Sequence, residues 1–96
     1  MEKVIDKEKL EKVDVNDDDT NAELIILNDD YNTFEHVITS LKRFCGLSHD
    51  VAEVCTWKIH SEGECVVLKN KKSVLFPICE NLVETGLSAE IQDTDE

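Results

Sequence analysis

The stretch LIILNDDYNTFEHVI, residues 24–38, decides how this chain is read. Its first four residues are apolar without a break. They are too few for a helix of their own and read as a buried strand. Asn28-Asp29-Asp30 has turn chemistry, because short polar side chains bond back to nearby backbone. Asn32 can cap a following helix, with Glu35 spaced to complete a capping box. Phe34, Val37, Ile38, Leu41 and Cys45 then recur at helical spacing, and Gly46 offers a stop. Two like charges side by side at a strand end call for a reason. A turn is one; a site that holds a cation is another.

Downstream, Ser48 can cap a second helix in which Val51, Val54, Cys55 and Ile59 lie on one side, and Gly63 ends it. ECVVLK, residues 64–69, reads as a second strand, and Asn70-Lys71 as a turn. Val74, Leu75, Ile78, Cys79, Leu82 and Val83 keep helical register in a third helix. Pro77 is tolerated only in a first turn, so this helix starts near Val74 or kinks. Gly86 stops it, and LSAEIQ, residues 87–92, is the third strand. The order β-α-α-β-α-β predicts an α/β (α+β) fold: a two-layer sandwich with a three-stranded antiparallel sheet packed against three helices.

Upstream, residues 1–20 carry twelve charged side chains and no aromatic, too little apolar surface to build a core. Lys and Glu interleave over Lys3–Lys12, where a short helix can form. The chain thus divides into a flexible acidic arm over 1–21, a folded domain over 22–92 and an acidic tail over 93–96.

At 96 residues the chain fits one domain. A domain this small buries only roughly 60% of its unfolded surface, which leaves no room for both a deep cleft and a large core. Ten basic side chains face 22 acidic ones, and the net charge of −12 repels nucleic acid and anionic membranes. Cationic groups or basic protein surfaces are the natural partners. No apolar run approaches the ~20 residues of a membrane span, and the charged start does not resemble a signal peptide. The expected location is the cytoplasm. Cys45, Cys55, Cys65 and Cys79 fall in no C-x-x-C pair, which predicts free thiols and neither metal nor cofactor.

These elements carry a resemblance. LNDDYNTFEHVI, then LKRFCGLSHDVAE, then IHSEG with His60 and Gly63, then LVETGLSAEIQ, follow one another as in the ClpS family of Clp protease adaptors, in a shorter variant. Residues 22–92 as a whole resemble that family. The resemblance implies a non-enzymatic adaptor. It would bind the free α-amino group and bulky apolar first residue (Leu, Phe, Tyr or Trp) of N-degron substrates. It would then deliver them to a ClpA- or ClpC-type AAA+ unfoldase coupled to a peptidase. By position it assigns Asn28, Asp30 and His60 to the amine, with Asp29 adding negative potential. Ile26, Leu27, Phe34, Val37, Thr56 and Ile59 match residues in or beside the side-chain hole, and Asn32 a residue that contacts the peptide backbone. A neutral imidazole accepts through one ring nitrogen only, so binding is expected to weaken below about pH 6.5.

The chain departs from the family pattern where Met is common, with Phe34 and Thr56 instead. Trp57 and Lys58 beside His60 are also unusual, and Trp57 is expected on the back of its helix or at a partner surface. Taken alone, Asn28-Asp29-Asp30 would read as a turn and cap, and His36 and His49 as structural or merely exposed. Two other functions fit the size. One is an acidic protein-interaction domain resembling the ribosomal stalk-protein C-terminal domain, which needs no amine pocket. The other is a small thiol enzyme built on Cys55 or Cys65 with a histidine, for which no orienting group or oxyanion donor is visible.

Overall fold

The computed structural model describes residues 19–94. Of the predicted arm and tail, residues 1–18 and 95–96 lie outside the described residues. The elements run β1 (Asn21–Leu27), α1 (Phe34–Cys45), α2 (His49–Glu62), β2 (Glu64–Lys71), α3 (Lys72–Glu84) and β3 (Ser88–Asp93). The sheet has the order β2-β1-β3, with both pairings antiparallel. Fold class and element order agree with the sequence reading.

The unbroken apolar run of β1 follows from its central place. Leu24 pairs with Leu68 on one side and Ile91 on the other, and Ile26 with Cys65 and Ala89. Ala22, Leu24 and Ile26 point by period two into the core shared with the helices. Ile25 faces the other way and is still buried, shielded between Val66 and Glu90 of the flanking strands. Leu41, Leu75 and Leu82 from the helices complete the centre with no exposed surface. Each such side chain stabilises the fold by about 1.5–3 kcal/mol through burial, and truncation to Ala costs about 2–5 kcal/mol.

The helix starts differ from expectation in two places. Thr33, not Asn32, caps α1: its hydroxyl accepts from the His36 N–H at 3.0 Å. The Asn32 amide is taken elsewhere, donating to Asp29 Oδ2 at 2.8 Å and to the Gly86 carbonyl at 2.9 Å. With Asn32 held that way, the cap passes to the next residue. Glu35 then lies in the first turn, where the helix dipole favours an acid.

The second difference is that β2 passes straight into α3 with no turn at Asn70-Lys71, and α3 begins at Lys72. Asp19 makes this start work. Its two carboxylate oxygens accept from the Ser73 N–H at 3.0 Å and the Ser73 hydroxyl at 2.7 Å, while the Thr20 carbonyl accepts from the Lys72 N–H. A cap supplied from 54 residues earlier leaves no local signature. Pro77 therefore lies inside α3, on its exposed side, and forgoes one backbone hydrogen bond. Ser48 caps α2 as read from sequence, accepting from the Val51 N–H.

Candidate functional site

The turn after β1 separates the two neighbouring carboxylates. Asp29 folds inward and acts as a staple. Its Oδ1 accepts from the backbone N–H groups of Tyr31 and Asn32, at 2.9 and 3.0 Å. Its Oδ2 accepts from the Asn32 amide and, at 3.3 Å, from the Ser88 hydroxyl of β3. Partial burial pushes this carboxyl's pKa up, but the four hydrogen bonds outweigh it and hold the group below its ordinary 3.8. Asp30 turns outward and is exposed. Among the described residues, no hydrogen bond engages the carboxylate of Asp30 or the side-chain amide of Asn28.

Opposite the turn stands the last part of α2. Thr56, Ile59 and His60 are spaced i, i+3, i+4 and share one face. Gly63 ends the helix in the left-handed region, with φ 95°. Its carbonyl accepts from the Asn28 N–H at 2.9 Å, which ties the end of β1 to the end of α2. Between them lies a cavity of about 240 Å³. Its polar rim is Asn28, Asp29, Asp30, Asn32, Thr33 and His60, and its walls are Phe34, Val37, Thr56 and Ile59. The Thr56 hydroxyl donates to the Ala52 carbonyl at 2.7 Å, so the polar atom of that wall is satisfied within its own helix.

Every predicted amine-binding residue borders this cavity, as do five of the seven predicted pocket residues. Ile26 and Leu27 do not. Ile26 is a core residue with 1% exposure, and Leu27 is half-buried at the strand end. Thr33 was missed, although it follows Asn32 directly. Trp57, expected on the back of α2 or at a partner surface, packs toward the site while staying 56% exposed, its ring centroid 4.6 Å from that of Phe34 and 6.3 Å from that of His60. Its i, i+3 relation to His60 was the available signal.

The other histidines do structural work. His36 Nε2 lies 3.0 Å from the Thr85 carbonyl, joining α1 to the end of α3. His49 accepts from Lys42 Nζ at its Nδ1 and approaches Glu53 at the helix surface. All four cysteines are free. Burial pushes the Cys45 and Cys65 thiols up to about 11, helped at Cys65 by a hydrogen bond with Cys55, and Cys79 is raised as well. Such thiols carry little thiolate at neutral pH, which argues against a nucleophile at Cys65. Among the described residues no cluster of His, Cys, Asp or Glu is placed to hold a metal ion, and no helix is long and apolar enough to cross a membrane.

A larger hollow of about 510 Å³ lies across α3 and β3, bordered by Phe76, Cys79, Val83 and Ile91. It is mostly apolar, with Lys72, Glu80 and Glu84 also at its border, whereas the smaller cavity brings an amide, two carboxylates and an imidazole together beside apolar walls. The chemistry therefore points to the smaller one.

Comparison with known proteins agrees with this architecture. Residues 15–90 match the family described as "ATP-dependent Clp protease adaptor protein ClpS". A ClpS adapter protein of Thermosynechococcus vestitus is 33% identical over 69 residues, 71% of this chain and 73% of that protein. One of Nostoc sp. is 42% identical over 48 residues, covering 49% of this chain and 50% of the relative. The chain thus spans about half the length of the Nostoc relative. Among solved structures, Agrobacterium tumefaciens ClpS2 bound to L-phenylalaninamide superposes with a TM-score of 0.74, at 21% identity, over 77% of this chain and 96% of the other. That likeness confirms the fold. By its family match and its Thermosynechococcus relative, the chain belongs to the ClpS family of ATP-dependent Clp protease adaptor proteins.

Proposed function

We propose that this chain captures the free amino terminus of a polypeptide whose first residue is bulky and apolar (Leu, Phe, Tyr or Trp) and delivers it to a ClpA- or ClpC-type AAA+ unfoldase. One observation carries the reading: Asn28, Asp30 and His60 rim a small cavity with apolar walls. An α-amino group has a pKa of about 7.7–8.0 and is mostly cationic at neutral pH. The Asn28 carbonyl oxygen, the Asp30 carboxylate and a neutral His60 ring nitrogen are all acceptors for its three protons. Pockets for drug-sized ligands run roughly 300–1,000 Å³, so about 240 Å³ suits a single side chain. The Agrobacterium relative binds L-phenylalaninamide, which joins a free amine to such a side chain.

The two halves of the site act at similar strength. Burying a Leu or Phe side chain contributes about 1.5–3 kcal/mol. A hydrogen bond to a charged group contributes about 1.5–3 kcal/mol before ordering costs. Neither half suffices alone, so an internal Leu is rejected for lack of the amine and an Ala terminus for lack of the side chain. No covalent step is required. A stalk-like interaction domain would need no cavity of this kind.

The test is a titration of labelled peptides that differ in the first residue. Leu, Phe, Tyr and Trp peptides bind, and an otherwise identical Ala peptide binds at least ~10-fold more weakly, the lower end for loss of one buried side chain. Equal binding of all five would overturn the reading.

A further inference from the structure

Phe34 is the first residue of α1, and its ring forms a wall of the cavity. A helix end offers such a ring no support from a preceding turn. The support comes from α2. The Trp57 ring meets the Phe34 ring edge-on, with centroids 4.6 Å apart and planes at 62°. The His60 ring meets it at 6.4 Å and 80°, and Trp57 and His60 lie 6.3 Å apart, also at 80°. Three aromatic rings thus lock together at the edge of the site, in the geometry that aromatic pairs prefer.

Trp57 has no other evident task. It is 56% exposed, it does not belong to the hydrophobic core, and it does not line the cavity. What it packs against is the Phe34 ring, edge-on at 4.6 Å. Phe34 also rests against the core and beside His60, so without Trp57 its ring keeps those contacts but loses its closest aromatic neighbour, and the cavity edge yields.

We propose that Trp57 is a specificity-determining positioning residue, pinning the Phe34 ring from outside so that the cavity keeps one shape and rejects first residues branched at Cβ. The inference rests on the amine-capture reading and extends it. Phe34 stands beside His60, one of the proposed amine acceptors. Its ring therefore limits the width available at Cβ of the bound residue more than the space at the side-chain tip. A misfit of one methylene in a fixed apolar pocket discriminates by roughly 10–200-fold. That discrimination lasts only while the wall cannot move.

The test compares two labelled peptides that differ only in Leu or Ile at the first position. Affinities are measured by fluorescence anisotropy for the native chain, Trp57→Ala, Trp57→Leu and Trp57→Phe, with folding checked by thermal unfolding. The native chain prefers Leu by at least ~10-fold. Trp57→Ala and Trp57→Leu still bind the Leu peptide but lose most of the preference, and Trp57→Phe restores it. A loss of stability alone would weaken both peptides equally and leave the ratio unchanged. An unchanged ratio in the folded Ala or Leu variant overturns the role of Trp57 and leaves amine capture standing. Failure of the native chain to bind the Leu peptide overturns both.

Discussion

The Asn28 N–H donates to the Gly63 carbonyl across 2.9 Å. Asn28 begins the turn after β1, and Gly63 lies three residues beyond His60 at the end of α2. This one backbone hydrogen bond joins the two halves of the cavity rim. The position of Asn28 and Asp30 relative to His60, the proposed amine acceptors, therefore depends on the backbone shape of Gly63.

That dependence makes Gly63→Ala informative. A Cβ there would meet no atom within 4 Å, so the cost comes from the φ of 95° and not from crowding. Holding a side-chain-bearing residue in that region costs on the order of 1–3 kcal/mol. Urea unfolding should show a loss of this size. Peptide binding should weaken too, because the variant relieves strain by moving the Gly63 carbonyl away from Asn28.

Asp29 and Asp30 should separate stability from binding. Asp29→Ala leaves two backbone N–H groups, the Asn32 amide and the Ser88 hydroxyl short of an acceptor. It should lower stability by about 1–3 kcal/mol. Asp30→Asn touches no internal hydrogen bond among the described residues. It should leave the unfolding midpoint in place and weaken the Leu peptide by roughly 10-fold or more, the worth of one hydrogen bond to a charged group. Denaturation and titration on the same two variants check both halves.

The same staple has a pH signature. Burial raises the Asp29 pKa, but its hydrogen bonds prevail, so the folded-state pKa lies below the ordinary 3.8. The ionised group therefore stabilises the fold fully above the unfolded value, and this contribution disappears as pH falls through the lower folded value. Asp19, lowered first by the Ser73 hydroxyl and then by the Ser73 N–H, acts in the same direction at the start of α3. The native chain should be more stable than Asp29→Asn at pH 7, with the gap closing toward pH 3. Urea midpoints at pH 7, 5 and 3 measure it.

The cap of α1 gives a further prediction. Thr33→Ala removes the acceptor for the His36 N–H and should cost about 0.5–2 kcal/mol. Asn32→Asp instead removes both amide donations, to Asp29 and to Gly86, and sets two carboxylates together. It should cost at least as much, although Asn32 caps no helix. Thermal unfolding of the two variants distinguishes these roles.

The sequence makes most of this fold legible because its signals are local. LIIL between turn residues marks the central strand, and Gly46, Gly63 and Gly86 mark the helix ends. What it hides depends on distant partners. Asn32 has the chemistry of a cap, but Gly86, 54 residues on, takes its amide. Asp19 reads as part of an acidic arm, but Ser73 makes it the cap of α3. At the site, turn chemistry pointed to Asn28 and Asp30 as acceptors, and the resemblance to the ClpS family pointed to Thr56, Ile59 and His60. Ile26 does not border the cavity, because alternation in β1 turns it to the core. Which way the Trp57 ring faces shows only in the approach of α1.

The account turns on a cationic amine at the start of the bound chain, and acetylation removes its charge and two of its three N–H donors. The direct measurement is the ratio of dissociation constants for one Leu-first peptide with its terminus free and acetylated, near pH 7. Loss of charge-assisted hydrogen bonds worth about 1.5–3 kcal/mol each predicts a ratio of at least ~10 in favour of the free amine. Equal affinity for the two peptides would contradict it.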